Sequence, residues 1–212
     1  MEISEIFYSI QGESSFAGWP CTFVRLAGCN LRCQYCDTTY AYEPEQQLSV
    51  EDLLKTVAQY RCRMVEITGG EPLLQDQVYS FTQRLLDKGY RVLLETNGSL
   101  DISKLDQRII RIMDLKCPGS AMSDKICWGN LKYLTPHDQI KFVLNDYEDY
   151  LWAKEIIEKY SLAERVLTIL FSPVYPDLLP ATLAEWILRD RLEVRLNLQL
   201  HKYIWPDKAR GF

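Results

Sequence analysis

The 212-residue chain lacks a long hydrophobic run and lacks an excess of positive charge. No stretch approaches the ~20 apolar residues that span a bilayer. The opening MEISEIFYSIQGE carries acidic residues where a signal peptide would be apolar. Lys and Arg number 24 against 29 Asp and Glu, a formal net charge of −5, so the broad basic face of a nucleic-acid-binding protein is missing. We therefore expect a cytoplasmic protein that neither enters a membrane nor binds nucleic acid.

Internal repeats, low-complexity segments and Gly/Ser/Pro-rich linkers are also missing. Hydrophobic residues make up 47% and charged residues 25%, which is ordinary globular usage and excludes disorder and coiled coil. The length suffices for one domain with a substantial core and barely for two. We predict a single domain over residues 1–212.

Short apolar runs alternate with helical patterns along the chain. The runs are near-continuous in apolar residues, which is typical of strands covered on both faces. The seven predicted strands are Thr22–Ala27, Met64–Thr68, Arg91–Thr96, Ile109–Leu115, Gln139–Leu144, Val166–Phe171 and Val194–Leu200. Helices are predicted after a cap at Ser49 and over 75–88, 147–160 and 182–189.

This alternation predicts an α/β fold with a mostly parallel sheet. Seven strands in so short a chain indicate an incomplete, thinned (β/α) barrel rather than a full eightfold one. In such a fold the chemistry lies on loops at the carboxyl ends of the strands. The unusual residues of this chain follow predicted strands, as that rule requires.

Three of the seven cysteines, Cys29, Cys33 and Cys36, fall in one loop directly after a predicted strand. An odd, clustered set favours a metal or redox site over a disulfide framework. Ordinary iron–sulfur proteins supply four cysteines, whereas three would leave one iron open to a ligand. The alternative is a zinc site completed by His137 or His201, although zinc sites usually show two C-x2-C pairs and only one is present.

Two further clusters end predicted strands. Thr68-Gly69-Gly70-Glu71-Pro72 contains two glycines, which let a backbone approach a ligand closely. Glu95-Thr96-Asn97-Gly98 ends the next strand, and buried Glu and Asn side chains there need polar partners. The plainer alternatives are a solvated turn for Glu71 and a capped turn for Asn97.

The C-x3-C-x2-C spacing, with Tyr35 before the last cysteine, resembles the signature of the radical S-adenosylmethionine (SAM) superfamily. The Gly-Gly-Glu-Pro turn is similar to the element that binds the SAM amino group in that superfamily. The resemblance implies a barrel of the radical SAM type and a [4Fe–4S] cluster on the three cysteines. It also implies that SAM chelates the open iron and yields a 5′-deoxyadenosyl radical.

Segments along nearly the whole chain closely resemble the family of 7-carboxy-7-deazaguanine synthases. They are FYSIQGE at 7–13, FVRLAGCN at 23–30, CDT at 36–38, DLKCPGS at 114–120, QLHK at 199–202, and Pro206, Arg210, Gly211 and Phe212 at the end. The resemblance implies a carbon–nitrogen lyase that converts 6-carboxy-5,6,7,8-tetrahydropterin to 7-carboxy-7-deazaguanine. That reaction contracts the ring and releases ammonia, and its product feeds queuosine and 7-deazapurine biosynthesis.

The resemblance also implies partners and site residues. It implies Mg²⁺, a homodimer and an electron donor such as a flavodoxin or ferredoxin. It places the cluster on Cys29, Cys33 and Cys36, and Mg²⁺ on Thr38. The implied SAM contacts are Tyr35, Cys36, Asp37, Gly70, Glu71, Glu95, Asn97, Asp114, Leu115, Lys116, Ser172, Pro173, Val174 and Tyr175. The implied substrate contacts are Ile10, Gln11, Gly12, Glu13, Arg25, Thr68, His201 and Phe212, the last two in a C-terminal segment at about 199–212.

Residue chemistry suits these roles but leaves alternatives. Arg25 can bind a carboxylate with two nitrogens, or it can form an internal salt bridge. Gln11 and Glu13 can pair with the amide-like edge of a pterin, or lie in a solvated loop. A hydroxyl such as that of Thr38 suits a magnesium ion that keeps several waters, but it can equally cap a helix. Tyr35 can contact adenine or pack in the core.

Two rival functions use the same cysteine loop. A glycyl-radical-enzyme activase has a similar loop, but it lacks the Gln-Gly-Glu start and the His-Lys…Gly-Phe ending found here. A non-enzymatic iron–sulfur or zinc protein needs neither the Gly-Gly-Glu-Pro turn nor a large core. Ser14 and Ala121 stand where glycine is common in the resembling family, so their two loops depart from its pattern.

Overall fold

A nine-stranded sheet forms the framework of the computed structural model, which describes residues 1–206, 208, 210 and 211. The order is β3-β1-β2-β4-β5-β6-β7-β8-β9, so the sheet is open, with β3 and β9 at its edges. The strands are β1 (Glu2–Ile10), β2 (Pro20–Leu26), β3 (Gln46–Gln47), β4 (Met64–Gly69), β5 (Arg91–Thr96), β6 (Ile110–Asp114), β7 (Gln139–Leu144), β8 (Thr168–Pro173) and β9 (Arg195–Leu196). In the series β2-β4-β5-β6-β7-β8-β9 all neighbouring strands are parallel. The strand β1 pairs antiparallel with both β2 and β3.

The helices α1 to α5 lie in the connections between parallel strands, as expected for βα units, and α6 follows the last strand. They are α1 (Val50–Gln59), α2 (Gln77–Asp87), α3 (Tyr147–Lys159), α4 (Leu162–Arg165), α5 (Pro180–Asp190) and α6 (Leu200–Ile204). Short 3-10 turns cover Thr39–Tyr42, Pro72–Leu74, Pro118–Ser120, Ser123–Lys125 and Trp128–Tyr133. The Ser49 side chain accepts the Asp52 N–H at the start of α1, so the predicted cap is confirmed.

The predicted α/β fold with a mostly parallel sheet is confirmed. The seven predicted strands are present, although the last shrinks to two residues, Arg195–Leu196. The pattern missed β1 and β3, and it missed the short helices α4 and α6. No α-helix connects β5 to β6 or β6 to β7 in the described chain, and this explains the thinning of the barrel.

Side chains alternate across each strand and so sort into two faces. On β4, Val65 and Ile67 join the apolar cluster beneath α1 and α2, whereas Met64 joins a separate cluster on the opposite face with Phe7, Phe23, Leu93, Ile112 and Leu170. We call this opposite face the inner face. A third cluster buries the outer face of β7 and β8 against α3 and α5.

Along the inner face, apolar residues give way to polar ones toward the carboxyl ends of the strands. Phe23 lies opposite Glu66, and one step further along Arg25 lies opposite Thr68. Glu95, Asp114 and Lys141 occupy inner-face positions on the next strands. Polar side chains from separate strands therefore meet at one end of the sheet.

The two positions that depart from the family glycine adopt the glycine-like conformation. Ser14 has φ of 63° and Ala121 has φ of 60°, both in the left-handed region. Each side chain therefore stands in a conformation that glycine adopts more easily, at the cost that a Cβ incurs there. None of the helices that the structure describes is long and apolar enough to cross a bilayer.

A buried ion pair joins β6 to the turn before β7. Arg111 and Asp138 have side chains 2% and 0% exposed, and Nη2 of Arg111 lies 2.9 Å from Oδ2 of Asp138. The other Asp138 oxygen accepts the Arg111 N–H at 2.8 Å and the Nε at 3.0 Å. The pair fixes this turn on the outer side of the sheet, since both partners are sealed from solvent.

Asp138→Ala should lower the free energy of unfolding by about 3–5 kcal/mol, because it leaves a buried arginine charge uncompensated. Chemical denaturation of the wild type and the variant measures the difference. Asp124→Ala is the control, since its partner Lys125 is exposed and no measurable change is expected. Equal unfolding midpoints for Asp138→Ala and the wild type would contradict the assigned role of the pair.

Candidate active site

A cavity of about 440 Å³ opens at the carboxyl end of the parallel strands. Its walls come from β1, β2 and β4 to β8, from the cysteine loop at 28–38 and from the C-terminal segment. All three loop cysteines and the inner-face residues Arg25, Thr68, Glu95, Asp114 and Lys141 line it. The cysteines and the polar strand ends thus belong to one site.

The cysteine loop leaves β2 at Gly28, whose φ of 88° turns the chain sharply. The Gly28 N–H donates to the Ala41 carbonyl at 2.8 Å, and the Cys36 N–H donates to the Cys33 carbonyl at 3.3 Å. Burial raises the pKa of Cys29 and Cys33, and the neighbouring Cys36 charge adds to it. The three thiols line the same cavity.

The Gly-Gly turn after β4 packs directly on this loop. The Gly70 N–H donates to the Leu26 carbonyl at 3.2 Å, and the Glu71 N–H donates to the Gly28 carbonyl at 2.8 Å. A Cβ on Gly70 would lie 2.0 Å from the Gly28 oxygen and 2.8 Å from the Cys29 Cβ. Only glycine fits here, so the turn and the first cluster cysteine hold a fixed relation.

The residues present fit a [4Fe–4S] cluster better than zinc. Within the described part of the chain, no three His, Cys, Asp or Glu side chains already converge on a single ion. A cubane cluster does not require such convergence, because each cysteine binds a different iron. His137 is exposed and bonds the Gln107 carbonyl at 2.9 Å, outside the cavity lining, so it is not the fourth zinc ligand.

Most residues expected to contact SAM line the cavity. They are Tyr35, Cys36, Asp37, Gly70, Glu95, Asn97, Asp114, Lys116, Ser172, Pro173, Val174 and Tyr175. Tyr35 also donates its hydroxyl to the Val143 carbonyl at 3.1 Å. Asn97 Oδ1 accepts the Ser99 N–H at 2.9 Å, so the asparagine both stabilises its turn and faces the cavity.

Glu71 and Leu115 lie outside the cavity lining, so their expected contacts with SAM stay a prediction. Glu71 is fully buried and accepts the Asn97 N–H at 2.7 Å, the Leu73 N–H at 3.0 Å and the Thr96 hydroxyl at 2.9 Å. Burial raises the pKa of Glu71 to about 7, although the hydrogen bonds from these donors lower it. Glu71 therefore joins the Gly-Gly turn to the end of β5, and Leu115 belongs to the apolar core.

Lys141, which the sequence analysis missed, is the central charge of the cavity. Its Nζ lies 3.0 Å from Glu13 and 3.6 Å from Asp114, and it also contacts Glu95. Burial alone would lower the pKa of Lys141, but these carboxylates raise it well above the usual value. A lysine inside the apolar strand QIKFVL, at an inward-facing position, was the available signal.

Asp114 and Lys116 extend this network toward the cysteine loop. The Lys116 Nζ donates to Asp114 Oδ2 at 2.8 Å. The other carboxylate oxygen, Oδ1, is buried and has no hydrogen-bond partner among the described residues. A buried acceptor without a partner at a cavity wall is suited to a ligand that brings a donor.

Arg25 combines the two roles that its sequence left open. Its Nε donates to Glu5 Oε1 at 2.7 Å, and the Tyr40 hydroxyl donates to the same oxygen at 3.0 Å. Arg25 also lines the cavity, and among the described residues its only side-chain hydrogen bond is the one from Nε. The internal salt bridge therefore orients the guanidinium and leaves its outer fork for a ligand.

Gln11 and Glu13 line the cavity, but their side chains are already paired. Gln11 donates from Nε2 to Glu66 and accepts the Glu13 N–H at 2.8 Å. Glu13 accepts from Lys141 at 3.0 Å and from Gln199 at 3.0 Å. Burial opposes ionisation of Glu13, yet Lys141 and His201 hold its pKa below the usual range. Ile10 and Gly12 line the cavity beside them.

The C-terminal segment folds against the cysteine loop. Lys202 donates to Asp37 at 2.7 Å, and the Leu200 N–H donates to the Gly12 carbonyl at 2.8 Å. His201 lines the cavity. It also packs closely on Gly12, since a Cβ there would lie 2.2 Å from the His201 Nδ1. Burial lowers the pKa of His201, partly opposed by Glu13. Phe212 lies outside the described residues.

Thr38 lines the cavity at the end of the cysteine loop. Its hydroxyl donates to Asp37 Oδ1 at 2.9 Å. It precedes the 3-10 turn Thr39–Tyr42, but its side chain makes no capping hydrogen bond. The capping alternative is therefore not realised.

Comparisons with known proteins agree with this site. The radical SAM superfamily profile matches residues 24–118, which include the cysteine loop and the Gly-Gly turn. The crystal structure of QueE from Escherichia coli superposes with a TM-score of 0.76 over 94% of each chain, at 24% identity, and shows the shared fold. The fold and the three-cysteine cavity define a radical SAM enzyme, with a [4Fe–4S] cluster and SAM as cofactors.

Two relatives narrow this class. The 7-carboxy-7-deazaguanine synthase of Chlorobaculum tepidum is 48% identical, covering 100% of this chain and 97% of the relative. The 7-carboxy-7-deazaguanine synthase of Koribacter versatilis is 41% identical over the full length of both chains. The chain belongs to the family of 7-carboxy-7-deazaguanine synthases.

Gly70→Ala should displace the cysteine loop, because the new Cβ would collide with the Gly28 carbonyl. We expect less iron and sulfide per chain after anaerobic reconstitution and a stability loss of about 1–3 kcal/mol from overpacking. Gly129→Ala is the matched control, since its Cβ would meet only the Cys127 sulfur, at 4.0 Å. Iron and sulfide contents equal to those of the wild type would refute the assigned contact.

Proposed function

We propose that this enzyme converts 6-carboxy-5,6,7,8-tetrahydropterin to 7-carboxy-7-deazaguanine, with ring contraction and loss of ammonia. The observation that carries the proposal is the placement of the Arg25 fork in the same cavity as the three cysteines. A carboxylated pterin needs a cation for its carboxylate and polar partners for its ring. Membership of the synthase family supports the same reaction.

The cofactors and the chain have separate tasks. The cluster, when bound with SAM, supplies the deoxyadenosyl radical that removes a hydrogen atom from the substrate. Cys29, Cys33 and Cys36 would hold the cluster, and the Gly70 backbone leaves room for SAM beside it. Asp114 Oδ1 would accept a hydrogen bond from SAM, since no described residue occupies it.

The substrate would lie between Arg25 and the C-terminal segment. Glu5 and Tyr40 hold the guanidinium of Arg25 from behind, so its outer fork can bind the pterin carboxylate through two hydrogen bonds. The Thr68 hydroxyl, which donates to Glu95 at 3.2 Å, lies opposite Arg25 on the neighbouring strand. His201 would close the cavity over the ring and exclude water from it.

The remaining expectations stay part of the proposal. Thr38 would bind Mg²⁺ together with substrate oxygens and waters, in keeping with the preference of that ion for oxygen ligands. We also propose one domain over residues 1–212, a homodimer, a flavodoxin or ferredoxin as electron donor, and a cytoplasmic location. Family resemblance supports the dimer, the donor and Mg²⁺.

The direct test is turnover by the reconstituted, reduced enzyme. Incubation with SAM and 6-carboxytetrahydropterin should give carboxydeazaguanine, identified by mass, and Cys33→Ala should give none because it removes a cluster ligand. Deoxyadenosine without a deazapurine would retain the radical SAM class and reject the substrate. Formation of a glycyl radical on an added partner enzyme would favour the activase alternative.

Arg25→Lys should raise the KM for the pterin about tenfold or more, because lysine cannot replace a two-nitrogen fork. Steady-state kinetics at saturating SAM measure the effect, and the thermal midpoint of the variant verifies its fold. Arg63→Lys, at an exposed arginine outside the cavity, should leave KM unchanged. An unaltered KM in Arg25→Lys would remove Arg25 from the carboxylate site.

A further inference from the structure

Glu66 is a buried carboxyl that neither the family signature nor the sequence analysis assigned. It lies on the inner face of β4, two residues before Thr68, and is 4% exposed. It lines the cavity with Phe7 and Phe23, whose rings stack at 4.9 Å. Glu66 is thus a polar group at an apolar cavity floor.

The two carboxyl oxygens of Glu66 have different surroundings. Oε2 accepts from Gln11 Nε2, and Gln11 Oε1 in turn accepts the Glu13 N–H. Oε1 accepts no hydrogen bond from a described residue, and the Glu66 side chain lines the cavity. One oxygen therefore fixes the turn at 11–13, and the other is left for a ligand.

The spacing of Glu66 from Arg25 matches a carboxylated bicycle. Glu66 lies opposite Phe23 and Arg25 lies opposite Thr68, so the two side chains are one inner-face step apart. Two residues along a strand span about 6.6 Å and neighbouring strands lie about 4.8 Å apart, so the Cα atoms of Glu66 and Arg25 are separated by about 8 Å. A bicyclic heterocycle bound at its carboxylate by Arg25 would therefore reach Glu66 with its opposite ring.

The charged surroundings favour the neutral acid at Glu66. Burial raises its pKa well above the usual value, and the carboxylates of Glu95 and Glu13 add to this. Lys141 and Arg25 act in the opposite direction but are engaged with other carboxylates. The Cys21 thiol, buried nearby, also faces this carboxyl. A neutral carboxyl can both donate and accept, as an amide-like ring edge requires.

We propose that Glu66 is a substrate-binding residue whose Oε1 forms a hydrogen bond with the pyrimidinone edge of the pterin. The assignment rests on the proposed substrate. Gln11 was expected to form hydrogen bonds with this edge itself. In this proposal it instead holds Glu66 and the adjoining turn in place. The edge is then recognised by a group on a strand rather than on a loop, which fixes its position.

The test measures binding to the reconstituted enzyme with SAM, using two probes. The first is 6-carboxypterin, and the second is quinoxaline-2-carboxylate, which keeps the carboxylated bicycle but lacks the pyrimidinone edge. The preference for 6-carboxypterin is the ratio of the two dissociation constants. Glu66→Leu should reduce this preference by about tenfold, the value of one hydrogen bond to a buried polar group. Glu66→Gln, which preserves a donor and an acceptor, should keep most of that preference.

Gln139→Leu is the matched control. Gln139 is a buried polar side chain that accepts the Ser15 N–H at 2.9 Å beside the same turn, but it does not line the cavity. Its replacement should leave the ratio of the two dissociation constants unchanged. A purely structural effect would weaken both probes equally, whereas loss of edge recognition weakens only 6-carboxypterin.

The outcomes separate the two proposals. Tight 6-carboxypterin binding with an unchanged preference in Glu66→Leu would overturn the role of Glu66 and leave the proposed function standing. An equal loss of preference in Gln139→Leu would overturn it too, because the turn would then be responsible. If the wild type neither bound 6-carboxypterin nor converted its tetrahydro form, the proposed function and the role of Glu66 would both fail.

Discussion

The interaction on which the cavity depends is the burial of one lysine among three carboxylates. Lys141 contacts Glu13, Glu95 and Asp114, which come from the turn after β1 and from the ends of β5 and β6. Parallel strands bring their carboxyl ends together, so like charges would repel at this edge without a cation. Removing the lysine would deprive the largely buried Glu13 and Glu95 of this cation, and such a loss is far costlier than that of an exposed pair. The network therefore keeps the polar end of an open sheet assembled.

Two close contacts position the cysteine loop relative to this network. The Gly-Gly turn packs on the Gly28 backbone, and Glu71 anchors that turn to the end of β5. On the other side, Asp37 at the end of the loop binds Lys202 and Gln199 of the C-terminal segment. Burial opposes ionisation of Asp37, but Lys202 keeps its pKa below the usual range. The cysteines are thus held between a rigid turn and a short helix, with the cavity between them.

Local patterns predicted the alternating elements because apolar runs and helix caps act over a few residues. They missed β1, whose mixed polar and apolar residues pair antiparallel between β2 and the edge strand β3. At the site, motif resemblance pointed to the cysteines, Gly70 and Arg25, all of which line the cavity. It did not identify Lys141 or Glu66, because their importance depends on which strands become neighbours and which face turns inward. The burial of Glu71 was not predictable for a related reason, since a motif does not show whether an acidic side chain faces a ligand or bonds to its own backbone.

Three thiols that carry a cluster with its open iron toward the SAM cavity should give a spectroscopic response to SAM. The most direct measurement is the EPR spectrum of the reduced, reconstituted protein before and after addition of SAM. We expect a [4Fe–4S]⁺ signal that changes on binding SAM, because SAM would chelate the iron that lacks a cysteine. A protein that contains zinc in place of iron, or a cluster signal that SAM leaves unaltered, would contradict it.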